Sequence, residues 1–159
     1  MSSERIPITP KGYQRLLEEL THLKSIERPA VIAAIAEARA HGDLSENAEY
    51  SAARERQGFI EAKIADLESR IARAEVIDVK ELTGNQIKFG ATVTLLNEEN
   101  DSEVKYQIVG EYEADLNSGL ISISSPLAKA LLGKSVGDQI EVATPKGIKY
   151  YDVITITYE

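Results

Sequence analysis

The chain has 159 residues, enough for one ordinary domain or two small ones, and its 43 % apolar and 28 % charged residues mark it as globular. It has no cysteine, which excludes a disulfide framework, a thiol nucleophile and any cysteine-based zinc site. A formal net charge of −8 argues against strong binding of DNA or RNA by the free chain, because phosphate neutralisation needs clustered Lys and Arg. A local basic stripe remains compatible with that total, as does nucleic acid met inside a larger machine. The opening MSSERIPITPKGYQRL has no apolar core of a signal peptide, and no later apolar run approaches a membrane span. A cytoplasmic protein with no membrane contact is expected.

The first half reads as a helical hairpin. Thr9 before Pro10 is a start signal, a capping residue followed by proline at the first helical position. Tyr13, Leu16, Leu17, Leu20 and Leu23 then follow helical spacing. Pro29 interrupts the pattern and is expected to kink or restart the helix. Val31, Ile32, Ile35 and Ala38 carry the stripe on to His41 and Gly42.

In the returning segment, Ala53, Gln57, Ile60, Ile64, Leu67, Ile71 and Ala74 alternate steps of four and three, the mark of a coiled-coil seam. Arg56, Lys63 and Arg70 form a column on one side of that seam; Glu61, Glu68 and Glu75 form one on the other. Opposite charges flanking a seam set the register of a helix pair. A helix of about 30 residues rises roughly 45 Å, so the tip, residues 41–46, is expected to stand far from the rest of the chain.

The character changes near residue 80, where Gly84 and Asn85 give a turn signal. Period-two patterning follows in Ala91, Val93 and Leu95, in Tyr106 and Ile108, in Ile121 and Ile123, in Ile140 and Val142, and around Val153, Ile154 and Ile156. A short helix starts at Pro126 and stops at Gly133, and Pro145-Lys146-Gly147 reads as a hairpin turn. The expected class is α+β, with a helical hairpin over 1–78 and a small sheet domain over 79–159.

Most chemical motifs fail on spacing. Gly133-Lys134-Ser135 suggests a phosphate loop, but the motif's first glycine is replaced by Ala128 and the preceding element reads as a helix. His22 and His41 have no partner at ligand spacing, and no serine sits in a nucleophile elbow. The stretch GDLSENAEY is different. Asp43 and Glu46 stand three apart, as in a capping box with Asp43 as N-cap and Glu46 as N3. The same pair would place two carboxylates at an exposed tip, where no core needs them. Mg²⁺ takes such oxygen ligands and is commonly held by one or two carboxylates plus other groups. Two acids on an open tip make a poor free-standing site but can complete one supplied by a partner, and the two roles are compatible.

At these residues the chain resembles the bacterial transcript cleavage factors, the Gre factors. GDLSENAEYSAARERQGFIEAKI is similar to the family's hairpin tip; FGATVTLLN, YQIVGEYEAD, GLISISSPLAKALLGKSVGD and TPKG are similar to its C-terminal domain. The resemblance implies an N-terminal antiparallel coiled-coil hairpin followed by an FKBP-like domain without isomerase activity. It also implies a partner, bacterial RNA polymerase, which the C-terminal domain binds while the coiled coil enters the secondary channel. There the tip meets the RNA 3′ end of a backtracked complex.

By the same resemblance, Asp43 and Glu46 help the polymerase hold Mg²⁺ and activate water, so that the polymerase cuts the RNA. Asp43 is assigned chiefly to the metal and Glu46 to the metal or its water. No metal is expected on the free protein, which is expected to be a monomer. Arg54 matches a basic residue that contacts the RNA, with Arg39 facing it from the first helix. Ser124, Ser125 and Pro126 match a polymerase-binding loop; the more basic branch of the family has an acid in place of Ser124. Two alternatives stay open: a non-cleaving regulator of the secondary channel, and a folding helper using the second domain. The second needs an apolar pocket lined with aromatics, and with no Trp and only two Phe, Phe59 and Phe89, the chain has little to build one.

Overall fold

Spacing by threes and fours becomes a helical hairpin, and spacing by twos becomes a sheet. The computed structural model describes residues 4–42, 47–78 and 86–158. It divides into two units, Tyr13–Ala74 in the first and Arg5–Gly12 with Glu75–Glu159 in the second. This is the α+β class expected, a helical hairpin followed by a sheet domain. Gly84 and Asn85 lie outside the described residues.

In the first unit, α1 (Pro10–His22) runs through a π-helical turn, Leu23–Glu27, into α2 (Arg28–Arg39). Pro29 explains the wide turn. It has no N–H to donate and its ring crowds the carbonyl four residues back, so the ladder shifts before it. The Arg28 N–H accordingly donates to the Leu23 carbonyl. The return strand of the hairpin, α3 (Ala48–Arg73), has 26 residues and rises roughly 39 Å. Leu16, Leu23, Val31, Ile35 and Ala38 are buried, as are Ala53, Ile60, Ile64 and Leu67 of the expected seam. Gln57, Ile71 and Ala74 are half-buried.

The flanking charges pair across the hairpin. Arg28 grips Glu61 through two bonds of 2.7 and 2.8 Å, and Lys63 reaches Glu19 at 2.8 Å. Lys24 meets Glu68 at 3.5 Å, whereas Arg70 turns to Asp66 of its own helix at 3.0 Å. Exposed pairs of this kind contribute little stability but penalise a slipped register. The hydrogen bond from Arg28 holds the Glu61 carboxyl below the usual range. The pairing is therefore present at neutral pH and is lost as pH falls through that lowered value.

In the second unit, β1 (Ile6–Ile8) pairs with β2 (Ala74–Val76). The main sheet has β3 (Thr92–Asn97), β4 (Ser102–Val109), β5 (Leu120–Ser122), β6 (Gln139–Thr144) and β7 (Gly147–Thr157). Their order is β5-β4-β3-β7-β6, antiparallel except for β4 with β5. Val93, Leu95, Ile108, Ile140 and Val153 turn to one face, where Ala128 and Leu131 of α4 (Pro126–Leu131) close the core. The Gly147 turn takes φ 121°, open to glycine and strained for other residues.

The start of α1 belongs to this second unit, and Glu113 holds it there. Thr9 caps the helix by accepting from the Gly12 N–H at 3.1 Å. A capping box would place the reciprocal acid three residues on; here it comes from a residue 104 positions away. The Glu113 carboxylate accepts from the Thr9 N–H at 3.1 Å, from the Gly110 N–H at 2.8 Å and from the Thr9 hydroxyl. A Cβ on Gly12 would fall 2.0 Å from that carboxylate, and one on Gly110 2.3 Å from the Pro7 carbonyl oxygen.

Two glycine substitutions should therefore have opposite signs. At Gly58, mid-helix in α3, an added Cβ meets nothing within 4 Å. Gly58→Ala is expected to stabilise by about 0.5–1 kcal/mol. Gly12→Ala displaces the Glu113 carboxylate from its donors and is expected to destabilise by about 1–3 kcal/mol. Thermal unfolding followed by circular dichroism and calorimetry checks both; a stabilised Gly12→Ala would show that the clasp contributes nothing.

Candidate functional site

Asp43 and Glu46, with Leu44 and Ser45 between them, lie outside the described residues. The structure does correct the capping reading made for them. Helix α3 starts at Ala48, about one turn later than the Asp43 spacing implied, and its cap is Asn47. The Asn47 Oδ1 accepts from the Tyr50 N–H at 3.0 Å. Its Nδ2 donates to the Ala38 carbonyl at 2.6 Å, at the end of α2. One side chain thus satisfies a free donor at the start of α3 and adds a second hydrogen bond to the Ala38 carbonyl, which also accepts from the His41 N–H at 3.1 Å. Beside it, His41 Nδ1 lies 4.0 Å from the Glu49 carboxylate.

Arg39 and Arg54 are brought together. Both line a groove of about 280 Å³ on the hairpin, with Ile32, Ile35, Ala36 and Gln57. Tyr50 stands with them: the Arg39 guanidinium lies over its ring, 6.0 Å from the centroid. Hydrogen bonding from Arg39, then the charges of Arg54 and Arg39, pull the phenol below the ordinary tyrosine range against the opposing effect of burial. Two guanidiniums beside an apolar wall suit a ligand with an anionic group and a flat apolar surface. Ile32 is 51 % exposed, so that wall is open to solvent.

Neither Tyr50 nor Asn47 was picked out from the sequence. Signals for both are present in it. Tyr50 precedes Arg54 by four residues on α3, the spacing of facing side chains, and Asn47 is a favoured N-cap residue.

In the second unit, Ser124, Ser125 and Pro126 sit where β5 gives way to α4. Ser125 is the N-cap, its hydroxyl accepting from the Ala128 N–H at 3.2 Å, and Pro126 takes the first helical position. The Ser124 N–H donates to the Ser122 hydroxyl at 3.1 Å, and the two hydroxyls lie 2.7 Å apart. Ser124 and Pro126 are exposed on a loop held by its own hydrogen bonds. Gly133-Lys134-Ser135 follows a helix, so it is no phosphate loop. Among the described residues, no group of three or more His, Cys, Asp or Glu is arranged to hold a metal, and no helix is long and apolar enough to cross a membrane.

Comparison with known proteins places both units. Residues 6–76 match the family model described as transcription elongation factor, N-terminal, and residues 82–158 match transcription elongation factor, GreA/GreB, C-term. The transcription elongation factor GreA of Caulobacter vibrioides (strain NA1000 / CB15N) is 60 % identical over 98 % of this chain and 99 % of its own. That of Rickettsia conorii is also 60 % identical, over 98 % of this chain and 96 % of its own. The crystal structure of GreA factor homolog 1 (Gfh1) of Thermus thermophilus is 29 % identical with a TM-score of 0.45, over 97 % of this chain and 99 % of that one.

The contact between Tyr50 and the arginines has a spectroscopic consequence. In an ultraviolet titration, the difference between the parent and Tyr50→Phe should isolate a phenol ionising below the ordinary value of about 10. Arg39→Ala should move that ionisation upward, because it removes the largest stabilisation of the phenolate. An unchanged titration in Arg39→Ala would disprove the contact.

Proposed function

Because the chain belongs to the GreA/GreB family of transcription elongation factors, we propose that it binds bacterial RNA polymerase and stimulates cleavage of backtracked RNA by the polymerase active site. Kinship along almost the whole chain carries this reading, since the two family models together take in hairpin and sheet unit. The chain works in the cytoplasm, as a monomer when free, and is not itself a nuclease. The second unit docks on the polymerase through the Ser124–Ser125–Pro126 loop, and the hairpin enters the secondary channel.

Asp43 and Glu46 are the acting residues at the tip. Their donor set fits Mg²⁺: two carboxylates offer hard oxygens but leave an octahedral ion incomplete, so the polymerase supplies the remainder. Bound there, the ion supplies positive charge for activating a water and stabilising the leaving oxygen. Arg54, with Arg39 opposite, meets the phosphates of the extruded RNA 3′ segment. The arginine pair suits that task, because guanidinium groups match phosphate geometry and carry no sequence preference.

Amide substitutions test the acids without touching the cap of α3, which Asn47 supplies. In backtracked complexes with Mg²⁺, Asp43→Asn and Glu46→Gln should each lower stimulated cleavage by roughly a hundredfold. Competition for polymerase should stay at the parent's level, and extra Mg²⁺ should restore part of the rate. Full cleavage by Asp43→Asn would remove the metal assignment. A parent that binds but never stimulates cleavage would instead indicate a non-cleaving channel regulator.

A further inference from the structure

Tyr50 has no role in the reading above, yet its ring lies under Arg39 and it stands one turn before Arg54 on α3. We propose that Tyr50 is a positioning residue, setting Arg39 and Arg54 as a single two-guanidinium clamp for one RNA phosphate. The inference rests on the reading that these arginines meet extruded RNA.

The physical difficulty it resolves is repulsion. Arg39 and Arg54 are exposed, come from different helices and carry like charges into one groove. Left alone, two such side chains separate and sample many rotamers, and a phosphate must order both on arrival. Tyr50 gives the pair a common neighbour. Its ring lies under the Arg39 guanidinium, 6.0 Å from the centroid, and Tyr50 precedes Arg54 by one turn of α3, so both cations lie beside one flat, electron-rich side chain.

The backbone beneath the ring is held at the same place. Asn47 bonds the Tyr50 N–H on one side and the carbonyl of Ala38, the neighbour of Arg39, on the other. Tyr50 and Arg39 are thereby carried on backbone that one Asn47 side chain bridges, at the junction of α2 and α3. Preordering of this kind lowers the entropy lost when the anion arrives. Tyr50 acts through the arginines and need not touch the reacting atoms.

The test measures cleavage of labelled RNA in backtracked polymerase complexes with Mg²⁺, against concentration of the full-length factor. Tyr50→Leu should lower the maximal rate roughly fivefold at an unchanged half-saturating concentration. Tyr50→Phe, which keeps the ring and the shape, should lower it roughly twofold. In an Arg39→Ala background the effect of Tyr50→Leu should shrink to less than about twofold, since a residue acting through another is non-additive with it. An undiminished loss in that background, or a shifted half-saturating concentration, overturns the proposal as a merely structural effect. If Tyr50→Leu unfolds by circular dichroism, Tyr50→Phe decides, and a parental rate there overturns it. The underlying reading fails separately: Arg39→Ala and Arg54→Ala would both cleave like the parent. Impaired arginine variants beside parental Tyr50 variants sink the positioning role alone.

Discussion

The register of the hairpin seam is the constraint on which the groove of Arg39 and Arg54 depends. Ile60, Ile64 and Leu67 are buried in α3, and Leu23, Val31 and Ile35 in the segment it packs against. Burying side chains of this size contributes about 1.5–3 kcal/mol each, enough for a slip of one residue to be prohibitive. Toward the tip the buried positions become alanines, Ala38 and Ala53. Short side chains let helices approach closely. A single asparagine can then span from the start of one helix to the last carbonyls of the other. The junction that carries the arginines is thus set by apolar packing further along the hairpin.

Charge is distributed by the same logic. The chain is acidic overall, and along the body of the hairpin several cations are paired with acids: Arg28 with Glu61, Lys63 with Glu19, Lys24 with Glu68. Arg39 and Arg54 differ in that a neutral tyrosine accompanies them and they line an open groove. An acidic protein can in this way present a small cationic surface at one place.

In the second unit, the Glu113 clasp shows how a helix start is built from distant parts. Thr9 has the residue type of an N-cap, and the first turn of α1 contains no acid. The missing carboxylate comes from Glu113, and glycine at positions 12 and 110 leaves room for it. Close packing and hydrogen bonding are coupled here. A methyl group on either glycine would occupy space already filled by the carboxylate or by the Pro7 carbonyl.

Much of this was legible along the chain, because it depends on short periods. The helical stripe, the seam of α3, the restart at Pro29, the strand alternation and the short helix at Pro126 all follow from side chains repeating at the spacing of their own element. Resemblance of the tip and of the sheet segments pointed to the family. The start of α3 was misread because Asp43 and Asn47 are both good caps, and only the approach of Ala38 selects between them by giving Asn47 a second bond. The seating of the Tyr50 ring under Arg39 and of Glu113 at the foot of α1 was not legible. Each depends on residues that meet only when separate elements pack, and no local period records which distant carbonyl, carboxylate or ring will be in reach.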